Sequence, residues 1–385
     1  MEVVRTHRVC GRDVALAAVG AVLVLWGHRS ASAAEPEEKP LLLANYYCWY
    51  HTGEHPRKPW ALWTRPSAKT NALALAAQRD GEPPLSSAAY PLIGLYDSAD
   101  PAVAEWHVKL AQAAGIDAFF VDWWGTHLGR DKNIDRGVLA AAEKHGLKIA
   151  LLDERTQYHN DWEWYKKAAV EALTRYIGSP AYLRISGKPV FYLYQVAQNP
   201  TLTPATFAEL KRHVESRVGP IYWIVDKIAH DHSAQRAGEK DKVKRIPVEW
   251  LAADGVDAFA FYSTFSHFRA HRYEDLVGTY RYMASLARQA GKKMLLPVHP
   301  GHDNSHFRDD PYVMPRREGQ TLRDYLQAAT DANADLVMIT SWNEWPETTV
   351  IEPSSTWSDP YLYLRIVAEW KGKVFSIPVG RPGKE

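Results

Sequence analysis

Residues 101–124 read PAVAEWHVKLAQAAGIDAFFVDWW, and this stretch holds one complete helix-to-strand unit. An amphipathic run from Pro101 to Ala114 stops at Gly115, where a helix C-cap needs a left-handed residue before the chain reverses. A near-continuous apolar burst, Ile116–Trp124, follows. Strands of that kind belong to parallel sheets covered on both faces, because alternation is lost when neither face meets water. Outward from this unit the same theme recurs. The bursts are Leu41–Trp49, Ile116–Trp124, Leu147–Asp153, Pro189–Gln195, Ile221–Asp226, Val256–Thr264, Lys293–His299 and Asp335–Trp342. Gly115, Gly146, Gly187, Gly219, Gly255 and Gly291 each precede one of them. Between them lie helix-like stretches at Pro101–Ala114, Ile134–His145, Trp162–Tyr176, Thr203–Val218, Tyr273–Ala290 and Thr321–Asn333.

Eight β/α alternations in one chain predict a single (β/α)8 TIM barrel. A doubly wound open sheet is the competing α/β architecture, but no G-x-G-x-x-G follows the first strand. Segment Thr52–Leu95, rich in Pro, Trp and Ser, is too long for a simple connection and is expected to form a loop insertion over the barrel mouth. No break in composition marks a second domain.

Composition narrows the function classes. Of 385 residues 46% are apolar, enough to bury a large core. Lys+Arg 46 against Asp+Glu 45 leaves a net charge of +1, so there is no basic field to hold nucleic acid. Trp (15) and Tyr (20) outnumber Phe (10), a balance that suits a wet, polar ligand better than a purely apolar one.

The first 34 residues read as an address. Arg5, Arg8 and Arg12 precede an apolar run, Val14–Trp26, and then small residues Ala31-Ser32-Ala33-Ala34. That is the pattern of a secretory signal peptide, leaving 35–385 as the barrel domain. The run is shorter than the about 20 residues a membrane span needs, although a retained anchor is the competing interpretation. Cleavage removes four arginines and two acids, taking the charge from +1 to −1. It also removes Cys10, leaving Cys48 unable to form an internal disulfide. The mature protein is expected to be secreted or periplasmic, monomeric and free of the membrane.

In a barrel of this type catalytic side chains sit at the C-terminal ends of the strands. Those ends read Tyr47-Cys48-Trp49-Tyr50, Asp122-Trp123-Trp124, Asp153-Glu154-Arg155, Tyr194-Gln195, Asp226-Lys227, Tyr262-Ser263-Thr264, His299-Pro300-Gly301-His302-Asp303 and Ser341-Trp342-Asn343-Glu344-Trp345-Pro346-Glu347. Aromatic rings beside carboxylates suit a sugar: rings stack on pyranose faces while acids grip hydroxyls. Glu344 and Glu347 are the sharpest feature. Glycoside cleavage needs two carboxyl groups flanking the bond, and neighbouring tryptophans can raise one pKa. The competing interpretation is a solvated helix start, where glutamate is favoured by the dipole. Glu154 can grip a hydroxyl or pair with Arg155. His299, His302, Asp303 and His306 have spacing compatible with a metal, but they follow Pro-Gly in a loop and are assigned as sugar-binding donors; no metal and no cofactor are expected. Trp123 and Trp124 point to opposite sides of a strand, so at most one faces the ligand. Trp106, Trp164, Trp250 and Trp370 fall in helical stretches and are assigned to the core.

The segment Ile339-Thr340-Ser341-Trp342-Asn343-Glu344-Trp345-Pro346-Glu347-Thr348-Thr349-Val350-Ile351-Glu352-Pro353 resembles the signature of glycoside hydrolase family 99, T-S-F/W-N-E-W-H-E-G-T-Q-I-E-P. Asn45-Tyr46-Tyr47 with Trp49-Tyr50, Asp122-Trp123-Trp124-Gly125, the strand bearing Glu154, and Pro300-Gly301 agree with it as well. The likeness runs from about Leu42 to Pro353. It implies a (β/α)8 barrel and retaining, endo-acting cleavage of α-mannosides without a metal. By the same resemblance, Glu344 assists the substrate 2-hydroxyl in forming a 1,2-anhydro sugar, and Glu347 is the general acid/base. The substrate-binding residues it and the strand ends imply are Tyr46, Tyr47, Trp49, Trp123, Trp124, Glu154, Tyr262, His299, His302, Asn343 and Trp345. Three positions depart from the family: its His is Pro346 here, its Gly is Thr348, and its P-G-Y loop reads Pro300-Gly301-His302. Two other activities share these features: a family 99-like glycosyltransferase, which would need a nucleotide-sugar donor, and a non-catalytic carbohydrate-binding barrel.

Overall fold

A computed structural model describes residues 39–53, 59–125, 131–155, 161–196, 199–227, 229–230, 244–262 and 273–382. The expected signal segment 1–34 and the strand end Ser263-Thr264 lie outside the described residues.

All eight expected strands form. They are β1 (Leu41–Tyr46), β2 (Ala118–Trp123), β3 (Lys148–Asp153), β4 (Lys188–Leu193), β5 (Tyr222–Val225), β6 (Ala258–Ala260), β7 (Lys293–Val298) and β8 (Leu336–Ile339). Each pairs in parallel with its sequence neighbours. The ring closes where Leu41–Ala44 of β1 runs beside Leu336–Ile339 of β8. The chain therefore makes a closed (β/α)8 barrel, and the open-sheet alternative falls. Phe119, Phe120 and Val121 of β2 are all fully buried, as expected of a strand with barrel on one side and helix on the other.

The helices after these strands are α1 (Pro101–Ala114), α2 (Ala140–His145), α3 (Trp162–Tyr176), α4 (Pro204–Val218), α5 (Val248–Leu251), α6 (Tyr273–Gln289), α7 (Gln320–Asp331) and α8 (Leu362–Trp370). Their starts follow from capping chemistry. The Asp100 carboxylate accepts the Ala102 N–H at 2.9 Å, with Pro101 at the first helical position. Thr203 does the same for α4 ahead of Pro204. Gly115 ends α1 in the left-handed region at φ 83°, as the sequence pattern requires.

Three local expectations change. Gly187 is no helix cap. With Ser186 (φ 50°) it makes the turn of a hairpin between Arg184–Ile185 and β4, a pair of positive φ values that matches the twist of the strands. The stretch Ile134–His145 is not one α-helix: Ile134–Leu139 is a π-helical turn leading into α2. A Cβ at Gly137 within it would lie 3.4 Å from the Ser98 carbonyl, so small volume is used there for close approach. Trp164 is exposed on α3, with the Arg155 guanidinium 5.4 Å from its ring, whereas Trp106 and Trp250 are core as expected.

The long insertion after β1 builds a second apolar cluster beside the barrel core. Tyr47, Trp49 and Tyr50 from the end of β1 meet Trp63, Leu85 and Ala89 of the insertion, Tyr96 just after it, and Trp345 and Val350 from the loop after β8. Trp63 is 1% exposed and packs 4.3 Å from Tyr50, ring centre to ring centre. Truncating such a side chain costs about 3–5 kcal/mol. The insertion is thus a packed part of the fold at the C-terminal end of the barrel. Among the described residues no helix is long and apolar enough to cross a membrane.

Candidate active site

The segment after β8 is a closed turn and not a helix start. The Ser341 N–H donates to the Thr349 carbonyl at 2.8 Å and the Ile351 N–H to the Ser341 carbonyl at 3.1 Å, pinching the two ends together. Inside it the Ser341 hydroxyl accepts the Glu344 N–H at 2.7 Å, and the Trp345 carbonyl accepts the Thr348 N–H at 2.9 Å. The turn is clamped to β1 by Asn343. Its side-chain oxygen accepts the Tyr47 N–H at 2.7 Å, its amide donates to the Tyr47 carbonyl at 2.9 Å, and its own carbonyl accepts the Tyr50 hydroxyl at 2.7 Å. From the other side the Asp303 N–H donates to the Glu347 carbonyl at 2.8 Å.

This frame brings three carboxyls together. Glu344 is 4% exposed, and burial first, then the charge of Glu347, push its carboxyl well above the usual carboxylate range. Glu347 retains some solvent exposure, yet it is enclosed deeply enough that burial raises its carboxyl too. Arg65 opposes the rise at both acids and Arg308 at Glu347. Glu154, from the end of β3, adds its negative charge to both. Two carboxyls interacting in this way titrate as a pair and hold one proton between them over a range where isolated glutamates hold none.

Three tyrosines face the same acids. The Tyr47 and Tyr262 hydroxyls lie 2.9 Å apart, and the Tyr194 and Tyr262 rings meet edge to face at 4.9 Å. Burial raises all three phenols, and the charges of Glu154 and at least one of Glu344 and Glu347 add to the rise in each. Trp49 stacks on Tyr47 at 4.5 Å, and Trp124 packs on the same cluster with its indole N–H donating to Asp122 at 2.8 Å.

The sequence candidates thus divide. Glu344, Glu347, Glu154, Tyr47, Tyr262, Trp49 and Trp124 gather at one end of the barrel. Others stand behind that surface. Tyr46 faces α1, its ring stacked on Phe119 and its hydroxyl 3.2 Å from His107 Nδ1, because successive strand residues face opposite ways. Trp123, 1% exposed, belongs to the main core. Asn343 and Trp345 are fully buried braces; the Trp345 indole donates to Glu352 Oε2 at 3.0 Å. These four pack into the core or brace the turn from behind the surface that the acids and tyrosines face. His299 is buried at the end of β7, with Nδ1 3.2 Å from the Thr340 carbonyl. His302 sits in a short hairpin, His302–Asp303 against Val313–Met314, and burial pushes it down to about 4, so its imidazole is neutral at ordinary pH. Among the described residues no three His, Cys, Asp or Glu side chains are placed to hold a metal ion.

Sequence reasoning placed Tyr194 at a strand end without assigning it to the substrate, and it passed over Arg65 and Arg308. Tyr194 had a signal, since it ends β4 as Tyr262 ends the β6 segment. The two arginines had none, lying in loops whose path the sequence does not show.

The family model "Glycosyl hydrolase family 99" matches residues 39–225, and the family model "Glycosyltransferase WbsX" matches residues 146–365, more than half of the chain. This chain is a family 99-like protein of the WbsX family. The glycoprotein endo-alpha-1,2-mannosidase of Mus musculus is 24% identical over 89% of this chain and 78% of its own length. That of Xenopus laevis is 24% identical over 85% and 76%. Among solved structures, the GH99 endo-alpha-mannosidase from Bacteroides thetaiotaomicron superposes with a TM-score of 0.66 at 21% identity, covering 86% of this chain and 96% of that one. This likeness concerns the fold, and it agrees with the closed barrel of this family 99-like chain.

Proposed function

We propose that this protein is a retaining glycoside hydrolase that cuts α-mannosidic linkages in a glycan. The observation that carries the reading is the turn after β8, which sets two interacting carboxyls, the buried Glu344 and the half-buried Glu347, beside Glu154 and three tyrosines. One shared proton is what the chemistry needs: one group to take a proton while the other gives one.

In an α-mannoside the axial 2-hydroxyl is trans to the leaving oxygen. Glu344, ionised, accepts the proton of that hydroxyl as its oxygen attacks the anomeric carbon. Glu347 donates a proton to the departing oxygen and then takes one from the water that opens the 1,2-anhydro ring, while Glu344 returns its proton to the 2-oxygen as the C1–O2 bond breaks. Two back-side displacements give retention. Glu154, Tyr47, Tyr194 and Tyr262 line the pocket that orients the sugar, and Trp49 and Trp124 offer rings at its entrance. The names of the curated relatives support the substrate class. We further place the protein outside the cytoplasm as a monomer, with 1–34 as a cleavable signal.

The test is reducing-end release across α-mannans, α-glucans and other polysaccharides, with product stereochemistry followed by NMR. Retained product from α-manno substrates is expected, and inert 2-deoxy analogues. Inversion, brisk turnover of a 2-deoxy substrate or preference for α-glucans would remove the anhydro-sugar route. The WbsX match, which includes both acids, favours a second reading as a glycosyltransferase. A strict requirement for a nucleotide-sugar donor would establish that reading instead.

A further inference from the structure

The mechanism just proposed asks Glu344 to start as a carboxylate, yet the site works against that. The side chain is almost wholly enclosed and faces Glu347 and Glu154, with the phenols of Tyr47, Tyr50 and Tyr262 around it. A buried acid among other acids keeps its proton unless a cation stands close. One does. Arg65 Nη2 is 3.7 Å from Glu344 Oε1, and its side chain is 34% exposed against 5% for the glutamate.

Arg65 is held there by the insertion. Its N–H donates to the Ser86 hydroxyl at 2.8 Å, while the Ser86 N–H donates to the Trp63 carbonyl at 2.9 Å and the Trp63 indole to the Tyr96 carbonyl at 3.0 Å. Its guanidinium lies 4.6 Å from the centre of the Phe307 ring, whose other guanidinium neighbour, Arg308, is at 5.0 Å. At 3.7 Å the pair has charge attraction without a hydrogen bond, so the guanidinium stabilises the carboxylate and leaves it free to accept a proton.

We infer that Arg65, carried into the site by the insertion after β1, is a positioning residue that favours the ionised form of Glu344 against its enclosure and its acidic neighbours. The insertion then belongs to the catalytic machinery and is more than a cover. The inference rests on the base role given to Glu344 above. It also extends to Glu347, which faces Arg65, Arg308, Glu154, Tyr194 and Tyr262. Removing Arg65 acts on both acids, whereas removing Arg308 acts on Glu347.

The first measurement is the pH profile of kcat/KM on an α-mannoside for wild type, Arg65→Met, Arg65→Gln, Arg65→Lys and Arg308→Met. An opposite charge this close changes the ionised fraction by about tenfold or more, and its partial exposure puts the effect at the lower end. Arg65→Met and Arg65→Gln should lose about tenfold on the acidic side and extend activity on the alkaline side, moving the whole bell upward. Arg65→Lys should recover most of the acidic side. Arg308→Met should move the alkaline limb alone. An unshifted bell with a uniform loss, or no rescue by lysine, overturns the inference.

The second measurement needs no activity. Carbon-13 NMR of protein labelled at the glutamate carboxyl, with Glu344 assigned by the resonance lost in Glu344→Gln, should show Glu344 titrating at higher pH in Arg65→Met than in wild type. Equal titration overturns the inference whatever the protein cuts. An upward move in a protein that cuts no α-mannoside supports the role of Arg65 and removes the hydrolase reading alone.

Discussion

Asn343→Ala should destabilise the fold by about 2–6 kcal/mol, an amount that can be worked from its bonds. Asn343 is fully buried and satisfies both main-chain groups of Tyr47, the N–H at 2.7 Å and the carbonyl at 2.9 Å. Truncation leaves both buried groups without that partner, at roughly 1–3 kcal/mol each. The Tyr96 hydroxyl also loses its 3.2 Å contact with Asn343 but keeps Glu352 at 2.8 Å, so it adds little. Asn343→Asp sharpens the test. The new side chain still accepts the Tyr47 N–H, but an ionised oxygen then faces the Tyr47 carbonyl where a donor stood. That variant should be unstable at neutral pH and recover as acid restores a donor. Urea unfolding followed by tryptophan fluorescence reads both. A loss under about 1 kcal/mol for Asn343→Ala, or no acid recovery for Asn343→Asp, would refute the claim that this residue clamps the catalytic turn to β1.

Glu347→Gln should lower kcat/KM by about 10²–10⁴ on a natural glycan. It should lose far less on a substrate with a good leaving group, while Glu344→Gln should be poor on both; equal losses on the two substrates count against the assignment. Glu344→Gln should also raise the urea midpoint at neutral pH. The folded-state carboxyl is raised, so between the usual range near 4.3 and its folded value the native protein holds the extra proton. Stability therefore falls as pH rises through that window, and glutamine removes the loss. A lower midpoint at pH 7, or a gain that persists below pH 4, contradicts this. Thr348 sits at φ 51° with its hydroxyl accepting the Ala88 N–H and donating to the Trp345 carbonyl, both at 3.2 Å. Thr348→Gly relieves about 1–2 kcal/mol of backbone strain and loses two bonds of about 1 kcal/mol each, so it should be near neutral. Thr348→Val keeps the strain, strands the Ala88 N–H and should cost about 1–3 kcal/mol; a valine variant as stable as wild type would refute the account.

The barrel was legible because its signals are local. Each apolar burst ends at a residue whose side chain must choose between the barrel interior and the helix layer, and burial on both faces leaves few alternatives to a parallel strand. The α8 helix was not read as a unit, although Leu364, Ile366 and Val367 are buried along it and Gly372 follows it, because no strand comes after it to complete a repeat. The acid pair was legible from two glutamates on one turn. Which neighbours merely support that turn was not. Asn343, Trp345 and Tyr46 have the residue types of a sugar site, and only the direction of each side chain separates support from contact. Tyr46 and Tyr47 are adjacent and point to opposite layers, a difference that one residue of strand register decides.

One departure from the family pattern falls where the insertion touches the turn after β8. The family's glycine is Thr348 here, and its hydroxyl ties the turn to Ala88 of the insertion. A glycine would make the left-handed backbone without strain but could not form that tie. The Arg316 guanidinium, between the rings of Trp357 and Tyr363, donates to the Thr348 carbonyl at 2.6 Å and the Val350 carbonyl at 2.9 Å. The turn is therefore bound from three directions: to β1 through Asn343, to the β7 loop through Asp303, and to the insertion through Thr348. Such bracing is what two enclosed acids require, since each would otherwise relax toward water and lose the raised pKa that enclosure gives it. The strain at Thr348 and the enclosure of Glu344 both cost stability, and both are located on the one turn whose geometry the proposed reaction uses.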